Sequence, residues 1–169
     1  MANTLAEVYK NSVEQFSDRV AFAMFERESV TYREFGERVR QVQEMLLDAG
    51  LSAGDKVALL SSSMPNWPVC YFAVVSAGMI VVPILPGFSG PEFDKIIAHS
   101  ESKALLVSDK LYTKLSRETL DAQNIVIRTK NLGVIHQKEG MSRGEATEPT
   151  PDDTAAIIYT SGTTSSPKG

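Results

Sequence analysis

Short apolar segments alternate with helix-like segments along most of this 169-residue chain, and this alternation limits the fold more than any other feature. Strands are predicted at residues 56–61, 79–85, 104–107 and 125–127, where apolar residues run together. Strands that alternate with helices pair in parallel, and the helices pack across the faces of the sheet. The sequence therefore predicts an α/β fold with a mostly parallel sheet and helices on both faces.

Two capping boxes mark where helices begin. Each places Ser or Thr three residues before Glu, so that hydroxyl and carboxylate satisfy free N–H groups of the first turn. Thr31 and Glu34 precede an amphipathic segment that ends near Gly50, and Ser89 and Glu92 precede a second one. Both segments are predicted helices with one apolar face.

The two ends of the chain carry further predicted elements. A helix over residues 4–16 is followed by strands over residues 20–25 and 30–32. Residues 131–153 are polar and rich in Gly, Glu, Thr and Pro, and they predict a long loop around a short strand at residues 133–135.

Two segments are apolar on all sides. Residues 65–77 predict a helix with almost no polar face, which we expect to be buried between other elements. Residues 155–159 predict a buried strand that leads into the last stretch of the chain. Ligands of parallel α/β sheets bind beyond the carboxyl ends of the strands, so this last stretch suits a binding site.

Composition and charge exclude several classes of function. The net charge is −4 with 22% charged residues and no basic block, which gives no support for nucleic-acid binding. The longest apolar run, residues 69–86, is interrupted by Ser76, Gly78 and Pro83, and we expect no transmembrane segment. Cys70 is the single cysteine, so disulfides within the chain and cysteine metal clusters are excluded. We predict a reducing, cytoplasmic setting.

Residues 159–169 form a loop whose side chains suit phosphate. They read Tyr-Thr-Ser-Gly-Thr-Thr-Ser-Ser-Pro-Lys-Gly. Hydroxyls and free N–H groups can donate to phosphate oxygens, glycine allows close approach, and lysine adds positive charge. The pattern is not a Walker A loop, because Pro167 precedes Lys168 and Gly169 follows it. The predicted binding residues are Thr160, Ser161, Gly162, Thr163, Thr164, Ser165 and Lys168.

The loop resembles the phosphate-binding signature of the adenylate-forming (AMP-binding) superfamily, with one departure at Ser165, where the family usually has glycine. Residues 32–35, 54–58 and 77–83 also resemble the front half of these enzymes, in the same order. Among relatives, Asn66 with its neighbour Trp67 and the Val-Val-Pro within residues 77–83 look most like a fatty acyl-CoA synthetase, or long-chain-fatty-acid–CoA ligase.

The resemblance implies an acid–thiol ligase that acts in two steps. ATP, with Mg²⁺, and a carboxylic acid, here a fatty acid, would give an acyl-adenylate and pyrophosphate; CoA would then take the acyl group. The loop would hold and neutralise the β- and γ-phosphates during attack on the α-phosphorus.

The resemblance also implies that residues 1–169 are a single incomplete α/β domain, the front part of a longer enzyme, ending in the loop. The family's catalytic lysine and its adenine and acid pockets lie after this loop. No catalytic residue and no metal ligand is therefore assigned here. We expect the fragment to be inactive and to self-associate through surface exposed by truncation.

Three alternative functions remain open. The enzyme could adenylate an amino or aromatic acid and transfer it to a carrier protein. The loop could belong to a phosphotransferase that binds a nucleotide without adenylate chemistry. The chain could also be a non-catalytic α/β nucleotide-binding or scaffold domain.

The remaining chemistry-bearing residues are predicted to be structural or, for the two histidines, solvated; a role for Trp67 as a ligand platform stays open. His99 and His136 have no partner at metal-ligand spacing, and Cys70 and Trp67 lie among apolar residues suited to a core. Asp152 and Asp153 are predicted to cap a turn or a strand and not to form an acid pair, because adjacent residues on an extended segment point apart.

Overall fold

The computed structural model of the chain describes residues 4–24 and 29–160. The helices are α1 Leu5–Gln15, α2 Tyr32–Asp48, α3 Asn66–Val75, α4 Gly90–Ser100, α5 Asp109–Tyr112 and α6 Arg117–Ala122. The strands are β1 Val20–Ala23, β2 Ser29–Thr31, β3 Lys56–Leu60, β4 Ile80–Pro83, β5 Ala104–Val107, β6 Ile125–Arg128 and β7 Gly133–Gln137.

The main sheet has five strands in the order β4-β3-β5-β6-β7. The first four are parallel, as the alternation of strands and helices predicts, and β7 is antiparallel to β6. A separate antiparallel hairpin joins β1 and β2. The prediction of an α/β fold with a mostly parallel sheet is therefore confirmed.

Helices cover both faces of this sheet, and each face has its own apolar core. Along β3, Val57 and Leu59 point into a core with α1, α2 and α3, while Ala58 and Leu60 point into a core with α4, α5 and α6. All residues of β5 are likewise buried. Continuous apolar strands are expected where helices exclude water from both faces.

Both predicted capping boxes start a helix. At α2 the N–H of Glu34 donates to the Thr31 hydroxyl at 3.2 Å, and the Thr31 N–H donates to the Glu34 carboxylate at 2.8 Å. At α4 the carboxylate of Glu92 accepts from the N–H and the hydroxyl of Ser89, at 2.7 and 2.6 Å. These bonds satisfy donors that the first helical turn leaves free.

The third helix packs into the core as predicted, but one side of it is only partly covered. Trp67, Tyr71 and Phe72 of α3 are half-buried, although Cys70 beside them is fully buried. The Trp67 and Tyr71 rings stack at 5.4 Å with an angle of 21°, so each ring shields the other on the outer side of the helix.

In the part of the chain described here, no helix is both long enough and apolar enough to cross a membrane.

Candidate functional site

An extended segment, residues 140–154, leads from β7 towards the predicted phosphate loop; we call it the strap. Its backbone bonds to the protein body: the N–H of Gly144 donates to the Leu47 carbonyl at 2.8 Å, and that of Thr147 to the Ala77 carbonyl at 3.2 Å. These bonds fix the strap across the ends of α2 and α3, although no strand pairing is involved.

The strap ends in a turn closed by Asp153. The N–H and hydroxyl of Thr150 donate to the Asp153 carboxylate at 2.7 and 2.9 Å. These hydrogen bonds lower the pKa of Asp153, because they favour its charged form. The prediction that Asp153 caps a turn is confirmed, and the turn directs the chain to the edge of the sheet.

Residues 155–159 contact the edge of the sheet without forming the predicted buried strand. One parallel bridge joins Ala156 to Val81 of β4; the Val81 N–H donates to the Ala155 carbonyl, and the Ile157 N–H donates to the Val81 carbonyl, both at 3.0 Å. Ile158 is 66% exposed. The expectation of a buried strand is therefore wrong: among the described residues, residues 155–159 pair with β4 through this single bridge.

The parallel pairing still sets a direction. The chain runs alongside β4 in the same sense as that strand. It therefore heads towards the carboxyl ends of the parallel strands, where ligands of such sheets bind.

Tyr159 is fixed just before the predicted loop. Its side chain is buried in the core on the α4 face, and its hydroxyl lies 2.6 Å from Nδ1 of His99, in the last turn of α4. The two rings meet edge to face at 5.7 Å and 88°. Burial raises the pKa of the Tyr159 hydroxyl, an effect that the charge of Lys56 partly offsets. The prediction of a structural role for His99 agrees with this contact.

Of the predicted phosphate-binding residues, the structure describes only Thr160, which is exposed. The others, Ser161, Gly162, Thr163, Thr164, Ser165 and Lys168, lie outside the described residues. Their binding role stays a prediction.

Hydroxyl residues follow three of the parallel strands, a pattern that the sequence reasoning missed. Ser61 comes after β3, Ser108 after β5 and Thr129 after β6, and all three are buried. The Ser61 and Thr129 hydroxyls hydrogen-bond at 3.0 Å, whereas the Ser108 hydroxyl has no partner among the described residues. The sequence does contain this signal: Ser61 and Ser108 directly follow apolar runs, and Thr129 follows one after Arg128.

Asn66 ties this end of the sheet to the first turn of α3. Its amide donates to the carbonyls of Thr129 and Lys130 at 2.9 and 3.1 Å, and its side-chain oxygen accepts from Arg38 at 3.0 Å. Asn66 is 7% exposed, so these bonds replace water that burial has removed. The carboxyl end of β6 is thereby held against α3.

The other chemistry-bearing side chains have structural surroundings. Cys70 is a small core residue, as predicted, and burial raises the pKa of its thiol to about 12. Trp67 packs against the core on its inner side. His136 belongs to β7 and not to the predicted polar loop. Within residues 4–24 and 29–160, no group of three His, Cys, Asp or Glu is placed to hold a metal ion.

A protein-family model described as "AMP-binding enzyme" matches residues 9–169 of the chain. Oxalate–CoA ligase of Arabidopsis thaliana is 28% identical over 181 residues, covering 99% of this chain and 34% of the relative. Indigoidine synthase of Streptomyces lavendulae is 27% identical over 166 residues, covering 98% of this chain and 13% of the relative. The chain thus spans about a third or less of these curated relatives.

Solved structures share the fold. NpsA-ThdA from Klebsiella oxytoca, an artificially fused adenylation–PCP di-domain NRPS, superimposes with a TM-score of 0.75 at 24% identity. The match covers 96% of this chain and 31% of that one. At this identity the likeness shows the fold alone.

Proposed function

The chain belongs to the AMP-binding enzyme family, and from this premise we propose that it is part of an enzyme that uses ATP to activate a carboxylic acid. The product of the first step is an acyl-adenylate, and pyrophosphate leaves. A thiol then takes the acyl group. The observation that carries the proposal is the loop sequence of residues 159–169, which stands at the end of a family match that begins at residue 9.

We propose that the enzyme is longer than these 169 residues, because its curated relatives are about three times this length or more. On this proposal the chain is an incomplete α/β domain, and the acid and adenine sites are formed by other parts of the enzyme. The exposed side chains of Leu85 and Ile158 would then be covered in the complete protein. Alone, the chain is expected to self-associate and to be inactive.

In this proposal the loop binds the β- and γ-phosphates of ATP. The hydroxyls of Thr160, Ser161, Thr163 and Thr164 donate to phosphate oxygens, Gly162 lets the backbone approach, and Lys168 supplies a positive charge. Positioned donors that meet developing charge lower the barrier to attack on the α-phosphorus. Thr160, the one described member, is exposed and available to a ligand.

Mg²⁺ fits the proposal as a partner of the nucleotide. The described residues provide no cluster that could hold a metal ion by itself. Mg²⁺ commonly binds through substrate phosphates and few protein ligands, so we propose that it arrives with ATP. There it supplies positive charge that neutralises the phosphates.

For the acid we propose a fatty acid, and for the acceptor CoA, in the cytoplasm. The name of the oxalate–CoA ligase supports CoA as acceptor. The second candidate is adenylation of an amino or aromatic acid with transfer to a carrier protein.

The test is pyrophosphate release by the intact enzyme, given ATP, Mg²⁺ and a panel of carboxylic acids. The panel contains fatty acids of increasing length, oxalate, aromatic acids and amino acids. CoA and a carrier protein are then offered as acceptors. Release of pyrophosphate with a fatty acid, followed by formation of acyl-CoA, supports the proposal. Formation of ADP would indicate a phosphotransferase. The absence of any nucleotide turnover would indicate a non-catalytic domain.

Two variants test the loop directly. Lys168→Ala is expected to slow ATP–pyrophosphate exchange much more than it weakens acid binding, because lysine meets charge on the phosphates. Ser165→Gly is expected to be neutral or mildly favourable: if the position requires a positive φ, serine adds strain on the order of 1 kcal/mol. If Lys168→Ala exchanged ATP and pyrophosphate at the wild-type rate, the loop would have no part in the mechanism. A large loss in Ser165→Gly would show a role for the serine hydroxyl.

A further inference from the structure

Tyr159 is held firmly at the point where the proposed phosphate loop begins. It is 3% exposed, whereas Ile158 before it is 66% exposed and Thr160 after it is exposed. Its ring lies in the core on the α4 face, together with Ile157. The chain is therefore fixed at residue 159 and exposed on either side of it.

The hydroxyl of Tyr159 needs a partner in this apolar setting, and His99 provides it. The oxygen lies 2.6 Å from Nδ1 of His99. A buried tyrosine usually finds a hydrogen-bond partner, because leaving its hydroxyl unpaired costs free energy. Either tautomer of His99 can make this bond, since the tyrosine hydroxyl can donate or accept.

His99 is carried by a helix that is itself anchored at both ends. The Ser89–Glu92 bonds fix the first turn of α4, and Ile96 and Ile97 are buried one turn before its end. The base of the loop is thus held at two points: backbone bonds join residues 155 and 157 to β4, and the side-chain bond joins residue 159 to α4.

We propose that His99 is a positioning residue for ATP binding, which acts through the Tyr159 hydroxyl to fix the start of the phosphate loop; this inference rests on the proposed function. Because residue 159 is already fixed before ATP arrives, this residue loses no further conformational entropy when ATP binds. The hydroxyl adds one directed bond to α4 beyond the packing of the tyrosine and histidine rings.

The test uses Tyr159→Phe, His99→Ala and the double variant in the intact enzyme. Each single variant is expected to raise KM for ATP about two- to tenfold, the range that corresponds to one hydrogen bond. KM for the acid should stay at its wild-type value. The double variant should be no worse than the single variants, because both remove the same bond.

Tyr112→Phe is the matched control. Tyr112 packs against the same apolar cluster, and among the described residues its hydroxyl has no hydrogen bond. Its removal is expected to leave KM for ATP unchanged. If KM for ATP rose equally in Tyr112→Phe and Tyr159→Phe, the effect would come from packing and not from the hydrogen bond, and the proposal would be overturned.

A second measurement needs no turnover. The rate at which trypsin cleaves the Lys168–Gly169 bond, followed by mass spectrometry without ATP, should rise in Tyr159→Phe and in His99→Ala and stay at the wild-type rate in Tyr112→Phe. If the wild type releases no pyrophosphate with any acid, the proposed function fails, while the cleavage rates still decide the role of His99. The inference would be overturned if trypsin cleaved both variants at the wild-type rate, or if the fold-changes in KM for ATP of the two single variants multiplied in the double variant.

Discussion

Gly144 lies where the strap passes close to the protein body, and Gly144→Ala should be severely destabilising. A Cβ on this residue would lie 1.8 Å from the carbonyl oxygen of Leu51 and 2.4 Å from the carbonyl carbon. Real Cβ atoms do not approach so closely, and a backbone carbonyl cannot rotate away as a flexible side chain can. The strap must therefore move off Leu51 in the variant.

The cost follows from the bonds that this movement breaks. The Gly144 N–H donates to Leu47 at 2.8 Å, the Ala53 N–H to Glu145 at 2.9 Å, and the Glu145 N–H to the Ser52 hydroxyl at 3.0 Å. A typical hydrogen bond contributes about 0.5–1.5 kcal/mol net, so losing all three costs about 2–4 kcal/mol. Ion pairs from Arg143 next to it are exposed and add little.

The assay is urea denaturation of the 169-residue protein, with Gly87→Ala and Gly140→Ala as controls. A Cβ on Gly87 meets nothing within 4 Å, so that variant should match the wild type. Gly140 also has open space but a φ of +74°, and alanine there should cost about 1–2 kcal/mol from strain alone. A Gly144→Ala variant as stable as Gly87→Ala would refute the argument that the strap packs against Leu51.

Three further predictions concern the caps and the polar contacts. Thr31→Ala should lose about 1 kcal/mol of unfolding free energy in urea, since it removes the N-cap of α2. Asn66→Ala should lose about 1–3 kcal/mol in the same assay, because two backbone carbonyls lose their donor. Hydrogen bonds from Thr31 lower the pKa of Glu34, and those from Ser89 lower the pKa of Glu92. The contribution of both carboxylates to the unfolding free energy should therefore be complete above the ordinary glutamate pKa of 4.5 and be lost as pH falls through the lowered pKa values. In an acid titration, Glu34→Gln should lose less stability than the wild type.

The sequence contained enough to predict the sheet and most of its helices. Apolar runs separated by amphipathic segments identify β3, β4, β5 and β6, because buried parallel strands tolerate no polar face. The two capping boxes could also be predicted from the sequence, since each depends on only four consecutive residues. These features depend on neighbours in the chain, which a reader of the sequence can see.

What the sequence did not reveal depends on contacts between distant residues. The short helix α6 has few apolar residues and no strong periodicity, so it was not predicted. The direction of β7 against β6 depends on the turn between them and not on composition. The segment 155–159 is apolar enough for a buried strand, but a strand also needs neighbours, and the described residues supply one bridge.

In the candidate site, too, some features follow from local sequence and others from contacts between distant residues. The proposed phosphate loop can be recognised in the sequence because its residues are consecutive. The contact at its first residue, Tyr159, is to His99, 60 positions away in the chain. The sheet order β4-β3-β5-β6 also brings Ser61 beside Thr129, although 68 positions separate them. No local pattern encodes either contact. On the proposed function, the chemistry of the loop is local and its placement is not, so substitutions at His99 or Tyr159 should change the affinity for ATP without changing which phosphate is attacked.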